Sequence, residues 1–534
     1  MKARGMEGIT YPPQYDVLVV GGGINGAGIA RDAAGRGLSV ALCEQHDLAQ
    51  HTSSSSSKLI HGGLRYLEHY EFGLVRKALI EREVLLRSAP HIMWPLRFVM
   101  PHDQGQRPAW LIRLGMFLYD HLARRELLPG SRALDLRRHV SGAPLKAQFT
   151  RGFVYSDGWV DDARLVVLNA MDAAEKGAHI MTRTRCESLT RQDNGWQAVL
   201  RREDGHAMQV RARCVVNAAG PWVAQFLGDA AHVHSSKSVR LVKGSHIVVP
   251  RLFEHDHAYI FQNPDGRIVF AIPCEQDFTL IGTTDIEYQG KVEDVAISAD
   301  ETAYLCQLAN RYFAKPITPA DVVWSYSGVR PLLEDAAADA SAVTRDYQLD
   351  LNTQGAPLLS IFGGKITTFR KLAEEAVDMI APVLGNQRGA WTEHGCLPGG
   401  DLYGAQPSNR SVRQFGQYVE GLQQQYPWLP ATLLQRYARA YGSRTHALLE
   451  GRKNLEEMGE EILGGLYAAE VDYLLRHEWA TNAADILWRR SKLGLHFPKG
   501  SEAVLDAWLA ARGGQSSGQE PPAEAGELLQ AASR

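Results

Sequence analysis

Four short stretches set cations and a histidine beside glycines or apolar residues: Lys243-Gly244-Ser245-His246, Ser327-Gly328-Val329-Arg330, Thr344-Arg345-Asp346 and Gly364-Lys365. Gathered around the face of a redox ring, such cations would hold an anionic substrate by charge-assisted hydrogen bonds. A histidine titrates near neutrality and is the residue type suited to proton exchange at a site, although His246 taken alone reads more often as a core or loop histidine than as a base. Singly, each residue is ordinary: a core histidine, a salt-bridged arginine, a solvated lysine. They gain chemical meaning only if a fold assembles them beside a cofactor.

The element that would hold that cofactor starts near Tyr15. Asp16-Val17-Leu18-Val19-Val20 reads as a buried strand. The turn Gly21-Gly22-Gly23-Ile24-Asn25-Gly26 matches GxGxxG through Gly21, Gly23 and Gly26. A helix follows over residues 26–36, then a second strand, Leu38-Ser39-Val40-Ala41-Leu42, with Glu44 about 20 residues past the turn. Gly21 permits the sharp turn, Gly23 lets a pyrophosphate approach the backbone, and Gly26 lets helix and sheet pack closely. The helix N-terminus offers free N–H groups and a positive dipole end. Glu44 can accept from ribose hydroxyls and would repel a 2′-phosphate, which argues against NADP. The unit by itself does not separate NAD from FAD.

The 534 residues suffice for about two to four domains. Net charge is −3, from 57 basic and 60 acidic residues, so no global attraction to nucleic acid is expected. The six cysteines, Cys43, Cys186, Cys214, Cys274, Cys306 and Cys396, show no CxxC and no metal-ligand spacing. They read as buried hydrophobes in a reducing compartment, and no metal site is expected. No signal peptide and no bilayer-spanning run is visible, so a cytoplasmic protein, attached at most by its surface, is expected.

Residues 1–14 read as a disordered lead. The nucleotide domain is expected in three parts, 15–90, 151–238 and 356–389, and a substrate domain over 239–355 with a second, antiparallel sheet. The serine run at residues 53–57 lies where the carboxyl end of a strand meets ligand, so its hydroxyls are candidates for cofactor contact. Residues 91–150 form an insertion with a helix over 110–125. Its apolar stripe, Trp110, Leu111, Leu114, Phe117, Leu118 and Leu122, suits an interfacial helix with snorkelling arginines or one packed on its own domain; the second is preferred. Residues 192–195 predict a hairpin turn. Cys214-Val215-Val216-Asn217-Ala218-Ala219-Gly220 reads as a buried strand ending toward the cofactor. Residues 390–512 read as a helical domain, with Thr481 capping a helix over 482–492. Residues 513–534 read as a disordered tail.

Several ordered runs are specific. Gly21 to Gly28, Ser57-Lys58-Leu59-Ile60-His61-Gly62-Gly63-Leu64-Arg65-Tyr66-Leu67 and Asn217-Ala218-Ala219-Gly220-Pro221-Trp222 resemble FAD-dependent glycerol-3-phosphate dehydrogenases. So do Val239-Arg240-Leu241-Val242-Lys243-Gly244-Ser245-His246, Ser327-Gly328-Val329-Arg330-Pro331-Leu332, Phe362-Gly363-Gly364-Lys365-Ile366-Thr367-Thr368 and Thr481-Asn482-Ala483-Ala484-Asp485-Ile486-Leu487-Trp488-Arg489-Arg490.

The resemblance implies an α/β fold: a Rossmann-like FAD domain of the D-amino-acid-oxidase type, an inserted antiparallel substrate domain and a C-terminal all-helical domain. It implies oxidation of sn-glycerol 3-phosphate to dihydroxyacetone phosphate, hydride passing from C2 to flavin N5, and electrons passing to a quinone at the inner membrane surface. It implies a homodimer. It sets Arg65, Tyr66, Thr283, Arg330, Arg345 and Lys365 around substrate and favours His246 as base, with Arg330 near the forming carbonyl. FAD neighbours are expected at Gly21, Gly23, Asn25, Gly26, Glu44, Ser57, Lys58, His61, Gly62, Gly63, Ala219, Gly220, Gly364 and Thr367. Three other readings stay open: an oxidase of the same fold using oxygen, another flavin-dependent 2-hydroxy-acid or amine oxidoreductase, and a non-catalytic flavoprotein.

Overall fold

The computed structural model describes residues 13–103, 105–235, 237–263, 265–333 and 346–513. The expected lead and tail lie almost wholly outside these residues, although Gln14 already belongs to a strand.

Eight strands form the nucleotide sheet: β1 (Gln14–Val20), β2 (Val40–Cys43), β7 (His179–Met181), β8 (Thr184–Gln192), β9 (Gly195–Arg202), β10 (Ala207–Asn217), β17 (Gln348–Asn352) and β18 (Leu358–Phe362). Its main path runs β17-β18-β10-β1-β2-β7, parallel from β18 to β7. A parallel sheet is covered on both faces, so its strands must be apolar on both. Val17, Leu18, Val19 and Val20 are all buried accordingly. On one face, α1 (Ile24–Gly35) lies between α4 (Asp162–Glu175) and α7 (Phe369–Ile380), with Ala27, Ala30 and Ala33 allowing close approach. The other face carries the expected β8–β9 hairpin and α5 (Val223–Asp229).

The second sheet has ten strands: β3 (Leu59–Ile60), β4 (Met93–His102), β5 (Arg132–Asp135), β6 (Arg151–Val160), β11 (Val239–Pro250), β12 (Ala258–Gln262), β13 (Ile268–Cys274), β14 (Phe278–Gly282), β15 (Ile286–Glu287) and β16 (Trp324–Leu333). All its pairings are antiparallel except β12 with β4. This sheet is larger than the expected substrate domain. β4 and β5 come from the expected insertion, and β3 and β6 from segments assigned to the nucleotide domain. The reason is register: β4 pairs with β6 along its whole length, from Met93 opposite Val160 to His102 opposite Arg151. A partner that far along the chain leaves no local signature. β17, expected in the substrate domain, belongs instead to the nucleotide sheet.

Helix α2 (Phe72–Ser88) leads toward β4. Helix α3 (Ala109–His121) buries only Met116 and Tyr119. The stripe preferred as a domain-packing face is turned outward: Trp110 is 69% exposed, Leu114 47% and Phe117 52%. Spacing located the stripe but not its partner.

The C-terminal region has its own core, built on Leu434, Tyr437, Tyr441, Val471, Leu474 and Ile486. Its helix near residue 485 is shorter than expected, a π-helix over Asp485–Arg490. Thr481 is not its cap. Asn482 Oδ1 accepts from Asp485 N–H at 3.0 Å, while the Asp485 carboxylate accepts from Thr481 N–H at 2.8 Å. All six cysteines are free, and five are buried.

Candidate active site

The β1–α1 turn forms one end of a long cleft. Gly21 has φ +113°, and a Cβ there would lie 2.4 Å from the Ala218 carbonyl oxygen, so β10 and the turn touch backbone to backbone. A Cβ on Gly26 would meet the Gly21 oxygen at 1.9 Å. Gly21, Gly23, Asn25, Glu44, Ala219, Gly220 and Gly364 line this end. Gly26 packs behind them. Glu44 accepts from Gly22 N–H at 2.6 Å and His46 N–H at 2.8 Å. Burial pushes its carboxyl upward, and the backbone donors oppose that shift. Ser53 Oγ accepts from Ile24 N–H at 3.0 Å, tying the serine strap to the helix start.

The other end of the cleft shares Ile24, Thr52, Ser53, Pro331, Gly363 and Gly364 with the first, so the two are continuous. Here stand Ser57, His61, Arg65, Tyr66, Thr283, His246, Arg330, Lys365 and Thr367. β11 delivers His246, opposite Gly282 on β14 and Tyr326 on β16. Its ring stacks on Tyr326 at 4.8 Å, and Ser57 Oγ lies 2.8 Å from Nε2. Its Nδ1 is buried and has no hydrogen-bond partner among the described residues. Burial, then the charges of Lys58 and Arg330, push His246 down to about 3. The imidazole is therefore neutral at pH 7, the form that can accept a proton. Lys365 Nζ sits 4.1 Å from the centre of the Tyr66 ring. Arg330 Nη2 donates to the Thr284 carbonyl at 3.3 Å and lies 3.4 Å from Asp285, both side chains partly exposed.

Some expected site residues stand elsewhere. Lys58 does not line the cleft; it is buried, with Nζ 2.7 Å from Asp162 Oδ1. Burial works against its charge, but Asp162 overrides it and holds the ammonium above the usual lysine range. Gly62 and Gly63 lie behind the wall. Gly62 N–H donates to Tyr119 at 2.9 Å and Asp157 at 3.2 Å, and a Cβ on Gly63 would strike the Tyr66 ring at 2.2 Å. Lys243 is neutralised by Glu301 at 2.7 Å, on α6 (Ala299–Tyr312). Arg345 lies outside the described residues. Sequence reasoning missed Asp157, Asp162, Tyr119 and Asp285. Asp157, Asp162 and Tyr119 stand behind the site and Asp285 lines the cleft, and the cap of α4 is the neighbouring Asp161 rather than Asp162.

The cleft suits a dinucleotide flavin. The glycine turn admits a pyrophosphate against backbone, Glu44 reaches the ribose position, and Asn25 Oδ1 is buried without a partner among the described residues. Comparison with known proteins agrees. Residues 16–370 match the FAD-dependent oxidoreductase family, and residues 390–512 match the C-terminal domain of alpha-glycerophosphate oxidase. The chain belongs to the FAD-dependent oxidoreductases. It is 57% identical to a glycerol-3-phosphate dehydrogenase of Pseudomonas aeruginosa, over 93% of this chain and 95% of that one. An aerobic glycerol-3-phosphate dehydrogenase of Escherichia coli is 49% identical, over 92% and 97%. A D-erythritol 1-phosphate dehydrogenase of Brucella abortus is 53% identical, over 93% and 98%. The solved glycerol-3-phosphate dehydrogenase of Bacillus halodurans, complexed with FAD, superposes with a TM-score of 0.76 at 26% identity, covering 94% and 92%. The expected α/β flavoprotein fold is therefore correct; the C-terminal domain, expected to be all-helical, is helical apart from a two-stranded hairpin, Glu461–Leu463 with Leu466–Tyr467.

Proposed function

We propose that this flavoenzyme oxidises sn-glycerol 3-phosphate to dihydroxyacetone phosphate. One observation carries the reading: a buried neutral histidine shares a cavity with Arg65, Arg330 and Lys365, and that cavity opens into the dinucleotide cradle. Bound FAD supplies the acceptor for the hydride leaving C2. His246 takes the C2 hydroxyl proton. Arg65 and Lys365 hold the phosphate, with Arg345 as the expected third cation, while Arg330 and Thr283 orient the reacting carbon. A phosphate dianion offsets the positive field around His246, so substrate raises the base's proton affinity when it is needed.

Electrons then pass to a membrane quinone. Among the described residues no helix is long and apolar enough to cross a membrane. Support for a peripheral contact comes from the outward apolar face of α3, with Arg107, Arg113 and Arg124 close to it in the chain. A homodimer is expected from family resemblance; sedimentation as a single chain would overturn that point.

The test is an absorbance spectrum of the purified yellow protein, before and after anaerobic addition of glycerol 3-phosphate. Bleaching of the flavin band is expected, and a spectrum indifferent to the substrate refutes the reading. The Brucella relative favours a second substrate, a four-carbon polyol phosphate bearing the same phosphate and secondary alcohol. A larger kcat/KM for D-erythritol 1-phosphate than for glycerol 3-phosphate would reassign the substrate. Stoichiometric peroxide in air without added quinone would reassign the acceptor to oxygen.

A further inference from the structure

The C-terminal domain sends no side chain into the cleft among the described residues. Yet an aromatic stack runs from it to His246. Trp488, on the π-helix, stacks on Trp324 of β16 with ring centres 4.5 Å apart and planes 15° apart. Trp324 leans on Tyr326 at 5.0 Å, and Tyr326 stacks on His246 at 4.8 Å and 17°.

The imidazole has no slack on its other face. A Cβ on Gly282 would come within 2.1 Å of His246 Cδ2, so the ring is held between the β14 backbone and Tyr326. Tyr326 is held in turn by its hydroxyl on the Ser56 carbonyl at 2.7 Å and by Lys58 over its ring at 5.1 Å. Its remaining neighbour in the stack is Trp324, braced by Trp488.

Trp488 is fixed within its own domain. Its indole N–H donates to Glu502 at 2.6 Å, and a Cβ on Gly494 would press its ring at 2.5 Å. The same π-helix grips the nucleotide end of the cleft: Arg489 and Arg490 bind Asp47, three residues past Glu44, at 2.6 and 2.7 Å. One short helix therefore braces both the loop beyond the ribose position and the back of the site.

We propose that Trp488 is a positioning residue for His246, acting through Trp324 and Tyr326. A base must meet the substrate hydroxyl within hydrogen-bond reach, and a displacement of about 1 Å can cost up to roughly a hundredfold in rate. The stack sets that distance from a domain that touches neither substrate nor flavin. The inference rests on the reading of His246 as the base.

The test uses FAD-loaded full-length enzyme. The rate constant for anaerobic bleaching by saturating glycerol 3-phosphate is measured per bound flavin, together with the substrate Kd. Trp488→Leu keeps apolar bulk and removes the flat ring; it should bleach about tenfold more slowly, with Kd changed less than about twofold. Trp488→Phe should restore the rate to within about threefold of wild type. A purely structural role would lower flavin content or thermal midpoint and leave the rate per bound flavin unchanged. That result in flavin-loaded Trp488→Leu overturns the proposal. Gly494→Ala, whose Cβ would lie 2.5 Å from the same ring and so displace it, is the second variant; an unchanged rate there also counts against the proposal. Wild-type flavin that ignores the substrate would instead overturn the substrate reading.

Discussion

Asp162→Asn tests the buried charge behind the active-site strap. Lys58 and Asp162 have side chains 3% and 0% exposed, 2.7 Å apart. Asp162 Oδ2 also accepts from Ser56 N–H at 3.1 Å and Ser56 Oγ at 2.7 Å, so this pair fastens the loop that sets Ser57 against His246. The amide keeps much of the volume and part of the hydrogen bonding but removes the charge. Stranding one buried partner costs about 3–5 kcal/mol. Lys58 can limit that loss by giving up its proton. From an ordinary pKa of about 10.4, the neutral amine costs about 4 kcal/mol at about pH 7.5 and about 2 kcal/mol at about pH 9. The sign follows. In wild type the raised Lys58 pKa contributes stability below the unfolded value, lost only as pH climbs through the folded one. In the variant the folded pKa is depressed, so stability is regained as pH rises toward the unfolded value. Urea unfolding followed by tryptophan fluorescence should show a deficit of about 3–4 kcal/mol near pH 7.5, shrinking to about 2 near pH 9. A deficit below about 1 kcal/mol, or one indifferent to pH, refutes the reasoning.

Other outcomes are expected. His246→Gln should lower kcat about a hundredfold or more while changing KM far less, with flavin content intact. Gly21→Ala sets a Cβ 2.4 Å from a backbone oxygen at φ +113°, and should yield protein with FAD affinity lowered more than about tenfold, read as the ratio of flavin to protein absorbance. His246 and His51 are pushed down to about 3 and about 4, chiefly by burial, so the stability of their neutral forms is present above pH 6.5 and lost as pH falls below it. His246 alone should cost roughly 2 kcal/mol at about pH 5, and His246→Gln should show a correspondingly smaller acid deficit in urea unfolding. Leu114→Asp with Phe117→Asp should release the protein from anionic liposomes in flotation while leaving activity with a soluble dye acceptor intact; retention on the liposomes would remove α3 from the docking face.

Local sequence determined the parts whose physics is local. The strand, glycine turn, helix and Glu44 of the first βαβ unit occur within about thirty residues, and each residue type answers a backbone or charge requirement met at that spot. The Gln192–Gly195 turn and the buried run before Gly220 were legible for the same reason. What lay beyond sequence was decided by pairing across long separations. No local pattern says that β4 and β6 are ladder neighbours, that α3 turns its stripe outward, or that Gly62 N–H is spent on Tyr119 and Asp157. Lys58 illustrates the limit best. In a conspicuous motif it read as a cofactor ligand, yet its partner Asp162 lies 104 positions away and draws it behind the wall. Residue type and spacing determine which chemistry is available. Which charge is neutralised, and which one faces the cleft, depends on neighbours that only the packed sheets bring together, because a buried ion takes the nearest counter-charge whatever its distance along the chain.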